Sequence, residues 1–447
     1  MRKKIIIASL AATLLLTHTA CDDNKDEYLS DFSTILYFRN SGELPLTIYN
    51  TGDNADYKLI VNKSGSELGA TTEVSVSVMD AAALAVYNAE QLTHYKALPA
   101  NCYEVTSDTK LVFGSSDLSK QVDVILKPEG IQTLPELPDG ESYVLPMQLI
   151  NSADSINSKK NTIFVKPTVL TPTVYFSQNG YVQNFLSDEG AAEIQLTLPV
   201  NIPLPSKWSF DCKIESDKSL LDAYNKENNC DYALLPAQQL GTGVSFTPNG
   251  NLVENFSITV KREGLNYGNY VLPLRLVSTT KTQFVVDEAR NTCLYGVSYV
   301  PAESKLHSVT LTEQMISYYP LTLNEGSVAA MLDGKEDTYY HSQYSPAVAL
   351  PHYIQVELPK ESTACLFEYK TRHNNANGAP QVIGLYGSMD GVEFSKIGTI
   401  TSGLPTTTKT SYKSPVFVGK SFKHLRVSVE KAPSSSFAMA EFRLSVN

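Results

Sequence analysis

The stretch Leu84-Ala85-Val86-Tyr87-Asn88, continuing through Tyr95 to Leu98-Pro99-Ala100, is written twice in this chain. Its second copy reads Leu221-Asp222-Ala223-Tyr224-Asn225, then Tyr232, then Leu235-Pro236-Ala237, with every shared position displaced by the same 137 residues. The flanks repeat as well. Tyr37-Phe38 matches Tyr175-Phe176, Lys127-Pro128-Glu129-Gly130 matches Lys261-Arg262-Glu263-Gly264, and Tyr143-Val144-Leu145-Pro146 matches Tyr270-Val271-Leu272-Pro273. A fixed spacing over that many positions is the mark of a duplicated domain.

Around the repeat the text is β in character. Ile35-Leu36-Tyr37-Phe38, Tyr57 to Val61 and the alternating Val74-Ser75-Val76-Ser77-Val78 read as strands, the last with its valines on one face. Asp80 stands at a helix N-cap position before the run Ala81 to Leu92, and Ser216 or Asp217 does so before Leu220. Leu98-Pro99 and Leu235-Pro236 end each helix, because proline disfavours helical geometry in the residue before it. Strands resume at Lys110 to Phe113 and Val122 to Lys127, and again at Val244 to Phe246 and Phe256 to Lys261, closed by Pro-Glu-Gly and Arg-Glu-Gly turns. Short strands with one crossover helix predict an all-β chain whose two repeats, 33–168 and 170–300, are immunoglobulin-like β-sandwiches. The repeated tyrosines, asparagine and Leu-Pro read as framework: rings packing on the sandwich, asparagine ending the helix, proline setting the corner; the alternative is a sugar site repeated on each module.

With 447 residues the chain has room for about three domains, each with its own core. A net charge of -11 provides no basic field, which disfavours nucleic-acid partners. One tryptophan against 25 tyrosines gives an aromatic supply that is half apolar and half hydrogen-bonding. Residues 1–20 read as a secretory leader: Arg2-Lys3-Lys4, then an apolar run from Ile5 to Leu16 that is too short to span a bilayer. The leader ends at Thr17-His18-Thr19-Ala20-Cys21, which resembles a bacterial lipobox with His18 where that motif carries leucine. The resemblance implies acylation at Cys21. The acidic tether 21–32, with Asp22, Asp23, Asp26 and Glu27, resembles the export tag of Bacteroides-type surface lipoproteins; the alternative is a merely solvated linker. Together they predict a lipid-anchored protein on the outer face of the outer membrane. The five other cysteines contain no Cys-x-x-Cys pair, so neither a zinc site nor dithiol chemistry is indicated. Cys212 and Cys230 flank a helix and are either bridged or buried as small apolar residues.

As a set, the Leu-x-x-Tyr-Asn, Tyr, Leu-Pro and Tyr-Val-Leu-Pro positions resemble the DUF1735 module of Bacteroides-type surface lipoproteins and of some secreted glycosidases. The resemblance implies a role in a polysaccharide or glycoprotein utilisation system. Tyr299-Val300-Pro301-Ala302-Glu303-Ser304 then forms a short polar joint. Beyond it, over 305–447, come Leu332-Asp333-Gly334, Tyr353-Ile354-Gln355-Val356-Glu357-Leu358, Gly387-Ser388-Met389-Asp390-Gly391, Leu425-Arg426-Val427-Ser428-Val429 and Ala438-Met439-Ala440-Glu441-Phe442. This order resembles the discoidin, or F5/8 type C, family, which includes family 32 carbohydrate-binding modules. The resemblance implies a β-sandwich jelly roll with ligand loops at one end and a structural calcium beneath them. Asp333, Thr338 and Glu441 are its candidate ligands, oxygen donors of the kind a hard cation takes; the alternative is a turn aspartate and a salt-bridged glutamate without metal. Tyr340 stands where the family carries tryptophan. His341, Arg372, Asn377 and Phe437 match the family's sugar-binding positions in order, with Asn374 and Asn375 competing for the asparagine role. The alternative here is solvated loops with Phe437 in the core.

Glycoside hydrolysis needs two carboxylates about 5 to 10 Å apart in a cleft. No segment reads as the strand-end cluster of a barrel glycosidase, and three domains leave no room for a barrel of about 250 residues. Gly-x-Ser-x-Gly, P-loop and His-Glu-x-x-His motifs do not occur. The expectation is a non-catalytic surface protein whose two sandwiches act as a stalk. Its terminal module captures oligosaccharides, of mannose- or N-acetylglucosamine-containing N-glycan type, for neighbouring glycosidases and a transporter. The rival from another class is an adhesin whose terminal module binds a protein or host matrix.

Overall fold

The computed structural model describes residues 33–236 and 243–447. The leader, Cys21 and the acidic tether lie outside the described residues. The chain divides into two compact units, Met1–Pro172 and Thr173–Asn447.

The first unit is a sandwich of a five-stranded and a six-stranded sheet. Alternation does the sorting: in Thr72–Val78, Val74 and Val76 turn inward while Glu73, Ser75 and Ser77 do not. Their side chains meet Leu59, Val61, Val122 and Val124 of the facing sheet in one core. Helix α1 (Ala81–Gln91) starts at Asp80, whose carboxylate accepts from the Ala83 N–H at 2.8 Å. It lies over a satellite cluster of Met79, Leu84, Val144 and Phe164, not over the main core.

The repeated asparagine does not end this helix, which runs three residues further to Gln91 and closes on Leu92 in the left-handed region (φ 55°). The Asn88 side chain instead clamps the chain seven residues on. Its Nδ2 donates to the Tyr95 carbonyl at 2.9 Å, and its Oδ1 accepts from the Tyr95 N–H at 3.2 Å and from Thr93 Oγ1 at 2.8 Å. The Pro128-Glu129-Gly130 segment is also not a plain turn; it opens a short helix α2 (Pro128–Gln132), with proline at a first-turn position whose missing N–H costs nothing.

The second unit begins with the duplicate, built from a four-stranded and a six-stranded sheet. Helix α3 (Lys218–Asn228) is capped by Asp217, and Asn225 repeats the clamp: Nδ2 donates to the Tyr232 carbonyl at 2.9 Å and Oδ1 accepts the Tyr232 N–H at 3.1 Å. The copies differ in what lies under the clamped tyrosine. In the first, Tyr95 donates to Glu43, which pairs with Lys166. In the second the register puts Tyr181 where Glu43 stood and Gly296 where Lys166 stood. The Tyr181 ring lies across Gly296, where any Cβ would collide with it at 2.2 Å, and stacks on Tyr224 at 4.8 Å between centroids. An ion pair is thus replaced by an aromatic over a glycine. All five described cysteines are free and buried, Cys212 and Cys230 among them; burial pushes their thiols up to about 12 and about 11.

The remaining domain is a β-sandwich with strand order His307–Ser308, Glu441–Val446, His352–Lys370, Phe417–Lys431, Val382–Ser388, Ser395–Ile400, all in one continuous sheet. His352–Lys370 and Phe417–Lys431 slip register twice between Glu357 and Ala364, irregularities of the kind that bend a strand from one layer into the next. Ile354, Val356, Phe367, Leu425, Val427 and Phe442 fill the core.

The joint between duplicate and terminal domain is not the polar linker its composition suggests. Val300 and Ala302 are buried, and Val300 packs with Ala364, Leu366, Val416 and Val418. The turn after α3 supplies the polar half: Asn229 Nδ2 donates to the Phe394 carbonyl at 2.7 Å, and Tyr232 Oη to the Ile397 carbonyl at 3.2 Å. Asn269 Nδ2 donates to the Val418 carbonyl at 2.6 Å. The duplicate and the terminal domain therefore belong to one compact unit, which leaves no free hinge of the kind a stalk of independent beads would have.

Because each clamp satisfies both backbone groups of one tyrosine, Asn88→Ala and Asn225→Ala are each expected to lower stability by about 1–3 kcal/mol, read as a fall in the thermal unfolding transition. Substitutions that leave the transition unmoved would contradict the clamp.

Candidate ligand site of the terminal domain

Three loops are brought together by two glycines. Gly326 (φ 76°) pairs with Tyr340, and a Cβ there would sit 2.2 Å from the Tyr339 carbonyl oxygen. Gly378 lies so close to the Phe437-Ala438 backbone that a Cβ would meet the Ala438 nitrogen at 2.9 Å, and its carbonyl accepts the Ala438 N–H at 2.9 Å. With Tyr340–His341 paired to Ala438–Met439, these approaches gather Asn324-Glu325, Tyr339 to Tyr344 and Arg372 to Asn375 at one end of the sandwich.

Glu325 is the centre of the cluster. Its Oε1 lies 3.1 Å from Arg372 Nη1 and 2.9 Å from His341 Nδ1, the latter a close approach with the imidazole nitrogen off the line of a hydrogen bond. Arg372 is further held by Asn375, whose Oδ1 accepts from Nε at 3.0 Å and also from Nη2. Tyr339 places its ring 5.5 Å from the guanidinium carbon. Tyr344, 41% exposed, lies against His341 at 4.9 Å between centroids. His341 and Arg372 are only 6% and 7% exposed. Burial, and then the Arg372 charge, hold the His341 imidazole below its usual range despite the opposing carboxylate.

A second, fully buried histidine braces the loops from below. The Phe437 N–H donates to Ser342 Oγ at 2.9 Å, Ser342 Oγ lies 2.9 Å from His352 Nδ1, and His352 Nε2 lies 3.2 Å from the Val348 carbonyl. Only an Nε2–H tautomer completes that chain, with the serine hydroxyl donating to Nδ1. Burial lowers this imidazole's pKa as well.

The structure brings His341 and Arg372 together and separates the other two sequence candidates from them. Phe437 is fully buried, packed against Tyr340 at 5.5 Å, so its ring offers no face to a ligand. Asn377 is exposed and joins the network through its backbone, its N–H donating to Asn375 Oδ1 at 3.1 Å and its carbonyl accepting from Ser434 Oγ at 2.9 Å; the asparagine side chain that touches Arg372 is that of Asn375. Sequence reasoning missed Glu325, Tyr339 and Tyr344. The Asn-Glu-Gly turn at 324–326 and the aromatics flanking His341 were the available signals.

Beneath the loops, Thr338 Oγ1 donates to Asp333 at 2.9 Å, and the Lys335 N–H does so at the same distance. Glu441 Oε1 is buried without a hydrogen-bond partner, and burial, then the charge of Asp333, raises the Glu441 carboxyl. Two carboxylates close enough to repel, one carrying an orphaned oxygen, form a donor set that suits a hard cation. No group of three or more His, Cys, Asp or Glu side chains clusters for a metal among the described residues, so hydroxyl and carbonyl oxygens would have to complete such a set. Tyr340, in the tryptophan position, is fully buried and its hydroxyl has no partner.

An all-β chain with two duplicated sandwiches and a loop-bearing terminal sandwich defines the class. The N-terminal-domain family model corresponding to the DUF1735 module matches twice, over residues 31–156 and 167–283. Those matches span more than half of the sequence, and the chain belongs to that family. The F5/8 type C domain model matches residues 312–442. No curated protein matches. Among solved structures, a carbohydrate-binding module from Clostridium perfringens in complex with GalNAc-β-1,3-galactose is 24% identical over 31% of this chain and 99% of its own, with a TM-score of 0.26. A two-domain protein of unknown function from Bacteroides fragilis is 14% identical over 62% of this chain and 95% of its own, with a TM-score of 0.29. The family 32 module of a further Clostridium perfringens protein, in complex with galactose, is 11% identical over 31% and 98%, with a TM-score of 0.26.

Both buried imidazoles have depressed pKa values, so the unfolded chain binds their protons first. Their contribution to stability is complete above about pH 6.5 and is lost as pH falls from there towards the folded values. Proton NMR of the intact chain is expected to show His341 and His352 titrating below the unperturbed range; midpoints at or above it would overturn the neutral assignment.

Proposed function

We propose that this protein is a non-catalytic, glycan-binding surface lipoprotein, and that Glu325, Arg372, His341 and Tyr344 form its sugar site. The observation that carries this reading is the Glu325-centred cluster: a partly exposed carboxylate paired with a buried arginine and set against a neutral histidine, beside an exposed tyrosine ring. Pyranose hydroxyls are met by fixed, charged donors and acceptors, and the apolar C–H face of the ring by an aromatic. Pre-organisation is built in, because Asn375 and Tyr339 hold Arg372 before any ligand arrives. The F5/8 type C match over the same domain supports a carbohydrate ligand.

The wider role rests on the Cys21 leader pattern and the acidic tether: anchorage at the outer membrane surface, capture of N-glycan-type oligosaccharides, and delivery to neighbouring glycosidases and a transporter. A single sugar site binds weakly, so tethering would act by raising local concentration. Calcium would be held by Asp333, Thr338 and Glu441. When bound it neutralises the Asp333–Glu441 repulsion and braces the loops from beneath.

A glycan array carrying mannose-, N-acetylglucosamine- and galactose-terminated structures tests the site with the intact chain. Tyr344→Ala and Glu325→Ala are expected to reduce retention about five- to tenfold, while Phe437→Leu lowers stability and leaves the affinity of the folded protein unchanged. Retention of no glycan, or binding that fails only in Phe437→Leu, would contradict the site. For the cation, removal by EDTA is expected to lower the unfolding transition and millimolar calcium to restore it, by about 2–3 kcal/mol at a hundredfold excess over Kd. Glu441→Gln should abolish the response; identical transitions with and without calcium would refute it.

A further inference from the structure

The outer face of the terminal domain's sheet carries an aromatic pocket that shares no residue with the loop cluster. Cross-strand register sets Tyr319 beside Tyr353 and Tyr353 beside Ser428, with Tyr386 beside Arg426 and Arg426 beside Gln355 in the next row. Tyr319, Pro351, Tyr353, Tyr386, Arg426 and Ser428 border an open pocket of about 390 Å³, within the range of small-molecule sites. Tyr319 and Tyr353 lie nearly parallel, 5.7 Å apart between centroids, and Tyr319 is 43% exposed.

Arg426 is held in an unusual way. Its guanidinium carbon lies 3.9 Å from the Tyr353 ring centroid and 3.7 Å from that of Phe394, so both faces of the plane are covered. Nε and Nη2 donate to a single neutral acceptor, Gln355 Oε1, at 3.2 and 2.8 Å. No carboxylate pairs with it among the described residues, and burial works against its charge. The nearest acid on its strand, Glu430, is committed elsewhere, accepting the Tyr386 hydroxyl proton at 2.5 Å. Gly384 makes room for that placement, since any Cβ there would meet Glu430 Oε1 at 2.1 Å. A half-buried guanidinium with covered faces, an available in-plane edge and no counter-charge is complementary to a planar carboxylate, which takes that edge bidentately.

We propose that this pocket is a second saccharide site, specific for a pyranose that carries a carboxylate, with Arg426 binding the acid group and Tyr319 stacking on the sugar ring. The site works independently of the loop cluster, so the two readings can fail separately. A neutral sugar leaves Arg426 unpaired and loses the larger share of the affinity.

The test is calorimetric titration of the intact chain with methyl β-D-glucuronide and with the methyl glycoside of N-acetylneuraminic acid, each against methyl β-D-glucoside. At least one acidic sugar is expected to bind roughly tenfold more tightly than the glucoside, the contribution of a charge-assisted pair. Arg426→Gln should erase the difference, Arg426→Lys should retain part of it, and Tyr319→Ala should weaken the acidic sugar about threefold or more. In the Glu325→Ala background, where the loop cluster no longer contributes, the preference for the acidic sugar should persist and should still be erased by Arg426→Gln. The proposal is overturned if neither acidic sugar binds better than the glucoside. It is equally overturned if the preference survives Arg426→Gln, or if Glu325→Ala removes it by showing that the acid binds at the loops.

Discussion

One side-chain amide per module holds the turn on which the duplicated architecture depends. A helix that stops on a left-handed residue must hand the chain back to a strand, and the backbone groups of the returning segment are left without partners unless something local satisfies them. Asn88 and Asn225 do so by taking both the N–H and the carbonyl of a tyrosine seven residues ahead. The tyrosine is then fixed over the second cluster of the sandwich, and the Leu-Pro corner follows. The repeat is conspicuous in the sequence because a clamp of this kind tolerates little variation in the spacing between its two ends.

With the clamp fixed, the two copies diverged where the clamp leaves freedom. In the first, Tyr95 donates to Glu43, an exposed acid. In the second, an aromatic and a glycine replace the ion pair, and the hydroxyl of Tyr232 reaches a carbonyl of the terminal domain instead. Asn229, in the left-handed position that Leu92 holds in the first copy, contributes a second bond across the same joint. A framework residue in one module has become a contact residue in the other, which is how a duplicated sandwich comes to share one compact unit with the domain carrying the loops.

Much of this was legible in the sequence, for reasons that differ by element. The strands from Ile35 and Val74 and the helices after Asp80 and Asp217 were readable because alternation and capping are local. The asparagine's role was not, since a clamp over seven residues looks like a helix stop until the partner is seen. Phe437 shows the commoner difficulty. It precedes a two-residue strand, and whether its ring faces the ligand or the core is set by register, which a one-residue slip would invert. Glu325 was invisible for a related reason: it meets His341 and Arg372 only because Gly326 and Gly378 bring three distant loops within contact, and no spacing along the chain encodes that approach. Tyr344 escaped notice because aromatics near a histidine are ordinary in a chain with 25 tyrosines.

The central claim is that neutral-glycan binding belongs to the Glu325-centred end of the terminal domain, with the duplicated modules serving as framework. Hydrogen exchange of the intact chain, compared with and without a neutral glycan that it retains, addresses this most directly. The account predicts slowed exchange confined to the segments around 324–326, 339–344 and 372–378, with α1, α3 and the turns clamped by Asn88 and Asn225 unchanged. Protection centred on those repeated turns, with the three loop segments unaffected, would contradict it.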